Sequence, residues 1–384
     1  MVIDFANYSR QNFFHVQGTL HNELLIRIFV PLGISYITFQ AIGYLIEIKR
    51  GAQTAEKNIG HFAAYILFFP KIIAGPVERA HNFLSQINLQ KTPDFAACSA
   101  GLKQILWGLF KKLVIADRLS IYISTVFDNT VLHSGYTLAL CAIFYVFQMY
   151  ADFSGYTDMA LGFSKILGYD LMPNFNRPLA ARSVTEFWRK WHISLSTWFG
   201  DYFYTPIAIA KRDWGPWAVI YASFITFIVL GFWHGANWTF IIFGFLQGAI
   251  LTIEFITKKL RKNVRKKIPA VINNTLGILF TFCYFSFSLI FFRANSVTDA
   301  LEIIKGIFNA KGTLFIPEQY MVLYPLFGIG IMLFVEWMDY YKHSTFGYFS
   351  HQNIIVRYSA YLAVSILILL LGIFDGGQFI YFQF

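Results

Sequence analysis

The sequence predicts an all-α protein that crosses a membrane many times. Hydrophobic residues make up 56% of the 384 positions, charged residues make up only 14%, and the mean hydropathy is +0.51. Soluble globular domains carry about a quarter charged residues. The apolar residues also come in stretches close to the roughly 20 residues that span a bilayer as a helix. The length of the chain would allow about two or three soluble domains. One membrane domain therefore fits these observations better.

Several stretches are apolar enough to reach membrane depth. They cover residues 24–48, 60–75, 100–125, 136–163, 214–233, 236–257, 271–292, 321–339 and 357–374. The second stretch contains Pro70 and Gly75 and is followed by Pro76, and such residues break a helix. Broken backbone at membrane depth is tolerated only where protein or a watery cavity surrounds it. We therefore predict a re-entrant element over residues 68–76.

Charge patterning predicts one domain and its orientation. Residues 1–23 form a polar lead without the apolar core of a signal peptide, and residues 24–384 form one membrane domain. The loop Lys258–Lys267 holds seven Lys or Arg in ten positions. The positive-inside rule places this loop in the cytoplasm. The Gly235 end of the preceding helices then lies away from the cytoplasm.

The net charge of +10 does not indicate a nucleic-acid partner. The basic residues cluster in short loops between apolar stretches, as membrane topology requires. Cys98, Cys141 and Cys283 are scattered without a CxxC pair. The sequence therefore predicts neither a disulfide framework nor a metal site.

Polar side chains interrupt the apolar stretch 136–163. An ionisable side chain at mid-bilayer costs at least about 2.5–3.5 kcal/mol and therefore faces a cavity or a partner. Gln148, Asp152 and Tyr156 are spaced four apart and share one helix face, whereas Asp158 points elsewhere. Two interpretations stay open: a hydrogen-bond network that fixes helix packing, or a polar wall of a substrate passage.

A run rich in Arg, Trp and His follows, over residues 174–179 and 185–192. This density fits a helix that lies in the cytoplasmic interface, with Trp at headgroup depth. That interpretation accounts for Arg189 and Lys190. It accounts less well for His192, which is followed by Ile-Ser-Leu-Ser and can turn inward.

His234 lies between two apolar helices, in the sequence GFWHGANWTF over residues 231–240. A neutral imidazole can take a proton from a hydroxyl near physiological pH, and acyl transfer to an alcohol needs such a base beside the attacking oxygen. A satisfied core histidine is the other interpretation, and the residues alone leave both open. The remaining histidines lie in terminal or loop-like polar contexts, at positions 15, 21, 61, 81, 133, 343 and 351.

Five stretches carry a recognisable pattern, in this order. They are PLGISYITFQAIGYLIEIKRG (31–51), FFPKIIAGPVERAHNFLSQI (68–87), ADFSGYTDMALGFSKILGYDLMPNFNRPLAARSVTEFWRKWHISLSTWF (151–199), GFWHGANWTFIIFGFLQG (231–248) and GGQFIYFQF (376–384). They resemble the membrane-bound O-acyltransferase (MBOAT) family, in its bacterial branch for alginate and other polysaccharide O-acetylation. The resemblance implies a helical bundle around a transmembrane tunnel. It also implies that His234 is the family's invariant histidine and His192 its second conserved histidine.

The resemblance implies a multi-pass O-acyltransferase of the bacterial inner (plasma) membrane. Such an enzyme would move acetyl groups from a cytoplasmic donor, acetyl-CoA or another acyl thioester, without a bound cofactor. The acceptor would be an extracytoplasmic polysaccharide or a secreted or membrane-anchored partner acetyltransferase. We expect His234 and His192 to be catalytic. The expected substrate-binding residues are Asp152, Tyr156, Asn176, Arg177, Arg182, Trp188, Arg189, Trp233 and Asn237.

Three features depart from the pattern of the branch. Gln247 stands where a downstream histidine is usual, and Gly200 stands where an arginine is frequent. The chain also begins with a short polar lead, so the N-terminal helices of relatives are expected to be missing.

Two alternative functions are D-alanyl transfer toward teichoic acid, and a transporter or channel without acyl chemistry. No paired inverted repeats of the transporter type are visible.

Overall fold

The computed structural model describes residues 33–89, 94–309, 311–342, 349 and 351–374. Within these ranges the chain is helical and contains no β-strand. The first helices are α1 (Ile34–Lys49), α2 (Ile59–Ile66), α3 (Phe69–Ile72), α4 (Ala80–Ile87), α5 (Phe95–Phe110), α6 (Asp117–Phe127), α7 (Gly135–Ile166), α8 (Val184–Trp188), α9 (Ile193–Phe199) and α10 (Thr205–Ala210). The later helices are α11 (Pro216–His234), α12 (Trp238–Ile256), α13 (Lys258–Arg265), α14 (Ala270–Arg293), α15 (Val297–Asn309), α16 (Gln319–Lys342) and α17 (Ile354–Leu371).

Six of the described helices are long and apolar enough to cross a membrane: α7, α11, α12, α14, α16 and α17. They coincide with six of the predicted stretches, which are thereby confirmed, and the all-α membrane class is confirmed with them. Helix α1 covers the second part of the first predicted stretch. The polar lead 1–23, residues 24–32 and the terminal motif 376–384 lie outside the described residues.

A π-helix, Lys111–Ala116, joins α5 to α6, so residues 95–127 run as one helix across the predicted stretch 100–125. This helix packs on α7 through glycines. A Cβ on Gly101 would lie 2.5 Å from the backbone oxygen of Gly162. A Cβ on Gly108 would lie 2.5 Å from that of Gly155. Small residues at a crossing let two helix backbones approach closely in a membrane, and these positions leave no room for a side chain.

Helices α11 and α12 form a second close pair around the turn that follows His234. A Cβ on Gly231 would lie 2.3 Å from the Phe240 backbone oxygen, and one on Gly244 would lie 2.2 Å from that of Phe227. In both cases the added Cβ would meet a backbone oxygen, and no flexible side chain could move aside to make room for it. The pair therefore fixes where the turn with His234 lies.

The predicted break over residues 68–76 is confirmed. Helix α3 is a single turn, and irregular chain over 73–79 leads from it into α4. Lys71 in α3 is fully buried, with Nζ 4.2 Å from the ring centroid of Tyr65 and 4.6 Å from that of Phe83. Protein surrounds this broken backbone, as its polar groups require.

Buried charges join the π-helix to α6 and α7. Lys112 Nζ lies 2.8 Å from carboxylate oxygens of both Asp117 and Asp152. Lys111 Nζ lies 2.5 Å from an oxygen of Asp158. Charges taken out of water are tolerated when they are paired. For Asp152 these contacts favour the packing network over the wall of a substrate passage.

The two ends of the bundle differ in charge. The basic run, expected as a loop, forms the short helix α13, and we call this the basic end. Because α11 and α12 run antiparallel, Lys211 and Arg212, before α11, lie at the same end. The opposite end carries the turn after His234, and there Arg293 pairs with Asp128 at 2.8 Å.

Candidate functional site

His234 is the last residue of α11, at the turn into α12. Its ring centroid lies 4.5 Å from that of Trp233 and 4.9 Å from that of Phe292. A Cβ on the next residue, Gly235, would lie 2.6 Å from the Phe240 ring. Glycine therefore permits the tight turn, and His234 stands among aromatic rings where two spanning helices meet.

His192 lies in the core, at the start of α9, and is 2% exposed. Its ring meets Phe153 edge-on, with 4.6 Å between centroids. The ring also stacks on Tyr36 at 6.4 Å. The expectation that His192 turns inward is confirmed.

The helix predicted over residues 185–192 is shorter than expected, and its place at the membrane interface stays a prediction. Helix α8 stops at Trp188, and Trp191 is buried in the core at 4% exposure. The backbone N–H of Asn176 donates to the Lys190 oxygen at 2.9 Å. This bond pairs Lys190 with the chain before α8, and the residues after α8 lie inside the bundle.

Tyr36 links the two histidines. Its ring centroid is 6.4 Å from that of His192 and 6.4 Å from that of Trp233, the residue before His234. Burial, and to a smaller degree the nearby His234, lowers the pKa of His192 well below its usual range, so His192 is a neutral imidazole. The charge pattern places the histidines one span apart. They lie closer because the His192 segment folds into the bundle.

A cavity of about 840 Å³ opens near the basic end. Its basic lining residues are Arg189, Lys258, Arg261 and Arg265. Ile193, next to His192, and Leu230, one helical turn before His234, also line it. The cavity thus runs from a positively charged rim to Ile193 and Leu230, and neither histidine is among its lining residues. Its volume lies within the range of about 300–1,000 Å³ that is typical of ligand sites.

A buried carboxylate organises one wall of this cavity. Glu254, 5% exposed, accepts the backbone N–H groups of Val184 at 3.0 Å and Thr185 at 2.9 Å, where α8 begins. Its Oε1 also lies 3.3 Å from a guanidinium nitrogen of Arg261. Glu254 therefore holds the segment that leads to His192. Glu254 was not predicted as a site residue, although an acidic residue near the end of an apolar helix is a visible signal in the sequence.

Two predicted substrate-binding residues, Trp188 and Arg189, line the cavity. Trp188 donates its Nε1–H to Oε1 of Gln247 at 3.2 Å. Gln247 in turn donates from Nε2 to Ser288 at 2.9 Å. The residue that replaces the usual downstream histidine thus ties the Trp188 segment to α14.

Seven other predicted residues lie outside the cavity lining. They are Asp152, Tyr156, Asn176, Arg177, Arg182, Trp233 and Asn237. Asp152 pairs with Lys112, and the Tyr156 hydroxyl donates to the Pro70 backbone oxygen at 3.4 Å. Both contacts are made between packed elements of the bundle, so a substrate contact for these seven residues stays a prediction.

Asn237 and Arg182 have structural contacts of their own. Asn237 caps α12 by accepting the backbone N–H of Thr239 at 3.1 Å, and it donates from Nδ2 to the Asn295 backbone oxygen at 3.1 Å. Arg182 is exposed and pairs with Glu186 at 3.3 Å. Neither residue is brought to the two histidines by these contacts.

Apart from Arg189, the basic rim was not predicted as part of the site, and neither was Asn174. The run that contains Lys258, Arg261 and Arg265 was interpreted only as a topology signal. Asn174 is fully buried, and its Oδ1 lies 3.2 Å from Nδ1 of His192. Its only signal in the sequence is its place in the Asn-Phe-Asn run that opens the basic segment.

Comparison with known proteins finds relatives over most of the chain. The chain is 37% identical over 288 residues to the Probable alginate O-acetylase AlgI of Pseudomonas aeruginosa, covering 74% of this chain and 53% of that protein. It is 30% identical over 319 residues to a peptidoglycan O-acetyltransferase of Helicobacter pylori, covering 76% and 59%. It is 31% identical over 247 residues to a teichoic acid D-alanyltransferase of Streptococcus thermophilus, covering 61% and 59%. The chain spans about half the length of the curated relatives it matches.

The model of the membrane-bound O-acyltransferase family matches residues 56–295. This range contains His192, His234 and every residue that lines the large cavity. It covers more than half of the chain, and the resemblance carried by the sequence motifs is confirmed. The chain belongs to the membrane-bound O-acyltransferase family.

Proposed function

We propose that the chain is the membrane body of a bacterial plasma-membrane O-acetyltransferase that serves an extracytoplasmic polysaccharide. Relatives named as an alginate O-acetylase and a peptidoglycan O-acetyltransferase support this function. The observation that carries the proposal is the cavity, because its basic rim leads to Ile193, next to His192, and to Leu230, one helical turn before His234. The acetyl group passes to the polysaccharide directly or through a partner acetyltransferase.

The donor in this proposal is a thioester with an anionic tail, and acetyl-CoA is the donor to test first. Arg189, Lys258 and Arg265 line the cavity where it is most exposed. Fixed charge at a low-dielectric mouth concentrates molecules of the opposite sign. Farther in, the lining includes apolar side chains such as Phe227 and Leu230, which suit the uncharged arm of the donor. No bound cofactor is part of the proposal.

The proposed step is transfer of the acyl group from sulfur to oxygen. His234 takes the proton of the acceptor hydroxyl while that oxygen attacks the thioester carbonyl carbon. The carbon–sulfur bond then breaks, and the proton held by the imidazole passes to the departing sulfur. One ester replaces one thioester, and a free thiol leaves. His192 stands on the donor side, next to the cavity residue Ile193.

The direction of transfer rests on the orientation of the basic end, which the positive-inside rule places in the cytoplasm. The test uses a cysteine at Asn263 in α13, in a variant with Cys98 and Cys283 replaced by serine. An impermeant thiol reagent should label this cysteine only after cells are permeabilised. A cysteine at the exposed Asn129, at the opposite end, should be labelled in intact cells. The reverse pattern would invert the direction of transfer.

Mass spectrometry of cell-envelope and secreted polysaccharide tests the activity itself. A deletion strain should lose an acetyl ester, and the wild-type gene, but not His234→Ala, should restore it. The similarity to a teichoic acid D-alanyltransferase makes D-alanyl transfer the second candidate, and a lost D-alanyl ester would establish it. An unchanged set of esters would reject acyl transfer and favour transport.

A further inference from the structure

A single buried asparagine holds three consecutive residues around His192. Asn174 Oδ1 lies 3.2 Å from His192 Nδ1, 2.5 Å from Ser194 Oγ and 3.3 Å from the Ser194 backbone nitrogen. The backbone oxygen of Asn174 accepts the N–H of Ile193 at 2.9 Å. His192, Ile193 and Ser194 are thus all fixed by the same residue.

The direction of each hydrogen bond follows from groups that can only donate. The backbone N–H of Ser194 is such a group, so the side-chain atom of Asn174 that faces it is the oxygen. The backbone N–H of Val77 donates to Ser194 Oγ at 2.9 Å, and the Ser194 hydroxyl hydrogen is left to point at Asn174. Because Oδ1 has no hydrogen to give, Nδ1 of His192 carries the proton of their shared bond.

The other ring nitrogen of His192 is then an acceptor. Burial favours the neutral imidazole, which holds one ring proton only. Nε2 is buried and has no hydrogen-bond partner among the residues that the structure describes. Buried polar atoms in folded proteins normally have a partner. Such an acceptor beside the candidate site can take a hydrogen bond from a bound molecule or from water.

The backbone at His192 supports a positioned side chain. Its φ of +44° lies in the left-handed region, which residues other than glycine rarely adopt. Such a conformation persists where the surroundings over-determine it. Here the bonds from Ile193 and Ser194 to Asn174 fix the chain immediately after His192.

We propose that Asn174, supported by Ser194, is a positioning residue that keeps the proton of His192 on Nδ1 and leaves Nε2 to accept a hydrogen bond from the substrate. The donor is an O–H or N–H group, such as the acceptor hydroxyl or an amide of the thioester arm. The substrate part of this inference rests on the proposed acyl transfer. His192 is then an acceptor in the site and does not donate to a developing oxyanion.

The tautomer can be observed without measuring activity. The full chain is purified in lipid nanodiscs with ¹⁵N-labelled histidine. The signals of His192 are those that are present in the wild-type spectrum and absent from the spectrum of His192→Gln. Nitrogen NMR should show a protonated Nδ1 and an unprotonated Nε2. Addition of acetyl-CoA should shift the Nε2 signal if the arm of that donor supplies the hydrogen bond, and a later shift on addition of polysaccharide would assign it to the acceptor. A protonated Nε2 in the wild-type protein would overturn the proposal.

Two substitutions of similar volume separate positioning from packing. Asn174→Leu removes the acceptor, so kcat should fall by about ten- to a hundredfold, the range found when a group that orients a metal-binding imidazole is lost, and the tautomers should mix. Asn174→Asp keeps the acceptor but adds charge that favours the imidazolium, so its rate should recover as the pH rises. Tyr36 and His234 face His192 from α1 and α11 and stay unchanged in both. Asn88→Ala, at the exposed end of α4, is the matched control.

The outcomes distinguish this inference from the proposed function. Equal kcat losses at all pH values in Asn174→Asp and Asn174→Leu would reduce Asn174 to a packing residue. If Asn174→Leu does not accumulate, Ser194→Ala tests the same bond, and an unaltered tautomer population there would count against the proposal. A wild-type protein with the expected tautomer but no acyl transfer would leave the assignment of His192 standing and reject the function.

Discussion

The lysines of the π-helix and the histidines of the site are all polar groups that are buried or half-buried in one helical body, yet their surroundings differ. Lys111 and Lys112 each meet a carboxylate of α7 at ion-pair distance. His192 has a partner on one ring nitrogen only, among the described residues. Paired charges hold helices together, whereas a positioned but incompletely paired group is prepared for a further partner. Burial alone does not separate the two cases, whereas their hydrogen bonding differs.

The largest effect should follow from removing the proposed base. His234→Ala should lower acyl transfer by about a hundred- to ten-thousandfold, the usual contribution of general-base catalysis. Protein amount and membrane insertion should stay near wild type, because little apolar packing is lost. His192→Ala should lower the maximal rate less, since His192 orients substrate. Initial rates with labelled acetyl-CoA on equal amounts of purified protein measure both, and a wild-type rate in His234→Ala would return His234 to the core-residue interpretation.

The next effect concerns stability. Lys112→Met leaves the buried carboxylates of Asp117 and Asp152 without their shared cation, and breaking a buried pair costs about 3–5 kcal/mol. The thermal unfolding midpoint in detergent should fall clearly, while the rate per folded molecule stays unchanged. Lys305→Met, at an exposed position of α15, is the control.

The same experiment can favour the other interpretation of α7. Adding Asp117→Asn and Asp152→Asn to Lys112→Met should recover stability, because no unpaired charge then remains. If Lys112→Met kept its stability but lost acyl transfer, the network would belong to a substrate passage and the comparison with the histidines would fail.

The smallest effect concerns the rim of the cavity. Arg189→Ala and Arg265→Ala should each raise the half-saturating acetyl-CoA concentration by up to about fivefold, because an exposed ion pair contributes about 0.2–1 kcal/mol and 1.4 kcal/mol is a factor of ten. Arg182→Ala, outside the lining, should have less effect than Arg189→Ala. Added salt should mimic the loss, since screening acts over about 8–10 Å at physiological ionic strength.

A matched surface arginine controls this prediction. Arg212 is exposed at the same end, outside the cavity lining, so Arg212→Ala should leave the half-saturating donor concentration unchanged. If Arg189 and Arg265 only anchored the chain at the interface, their substitution would lower the amount of protein and leave donor dependence as in the wild type.

Hydropathy predicted the spanning helices because a spanning helix needs only its own residues to satisfy its backbone. The break over residues 68–76 was likewise predictable, because it contains helix-breaking residues: Pro70, Gly75 and Pro76. The length of the predicted interfacial helix was missed for the opposite reason. Just beyond its end the backbone N–H of Asn176 donates to the Lys190 oxygen, and composition within a window does not register such pairing.

Site residues that belong to a sequence motif were predictable. Site residues that come together only through the fold were not. His234 and His192 follow from family motifs. Asn174 is separated from His192 by 18 positions and Glu254 from Val184 by 70. No local pattern marks either pair, because each depends on how the chain returns to itself. The basic rim was visible as charge, but its role as a cavity wall needed the antiparallel pair α11 and α12.

The buried lysines also constrain how the chain enters the bilayer during synthesis. Lys111 and Lys112 lie within the continuous helix 95–127, and carboxylates that pair with them lie on α7. A charge without its partner costs at least about 2.5–3.5 kcal/mol at the centre of an inserting helix. Only residues 128–134 separate the two helices. We therefore expect them to leave the insertion machinery together as one hairpin, with the earlier helix retained at the protein–lipid boundary until the later one emerges.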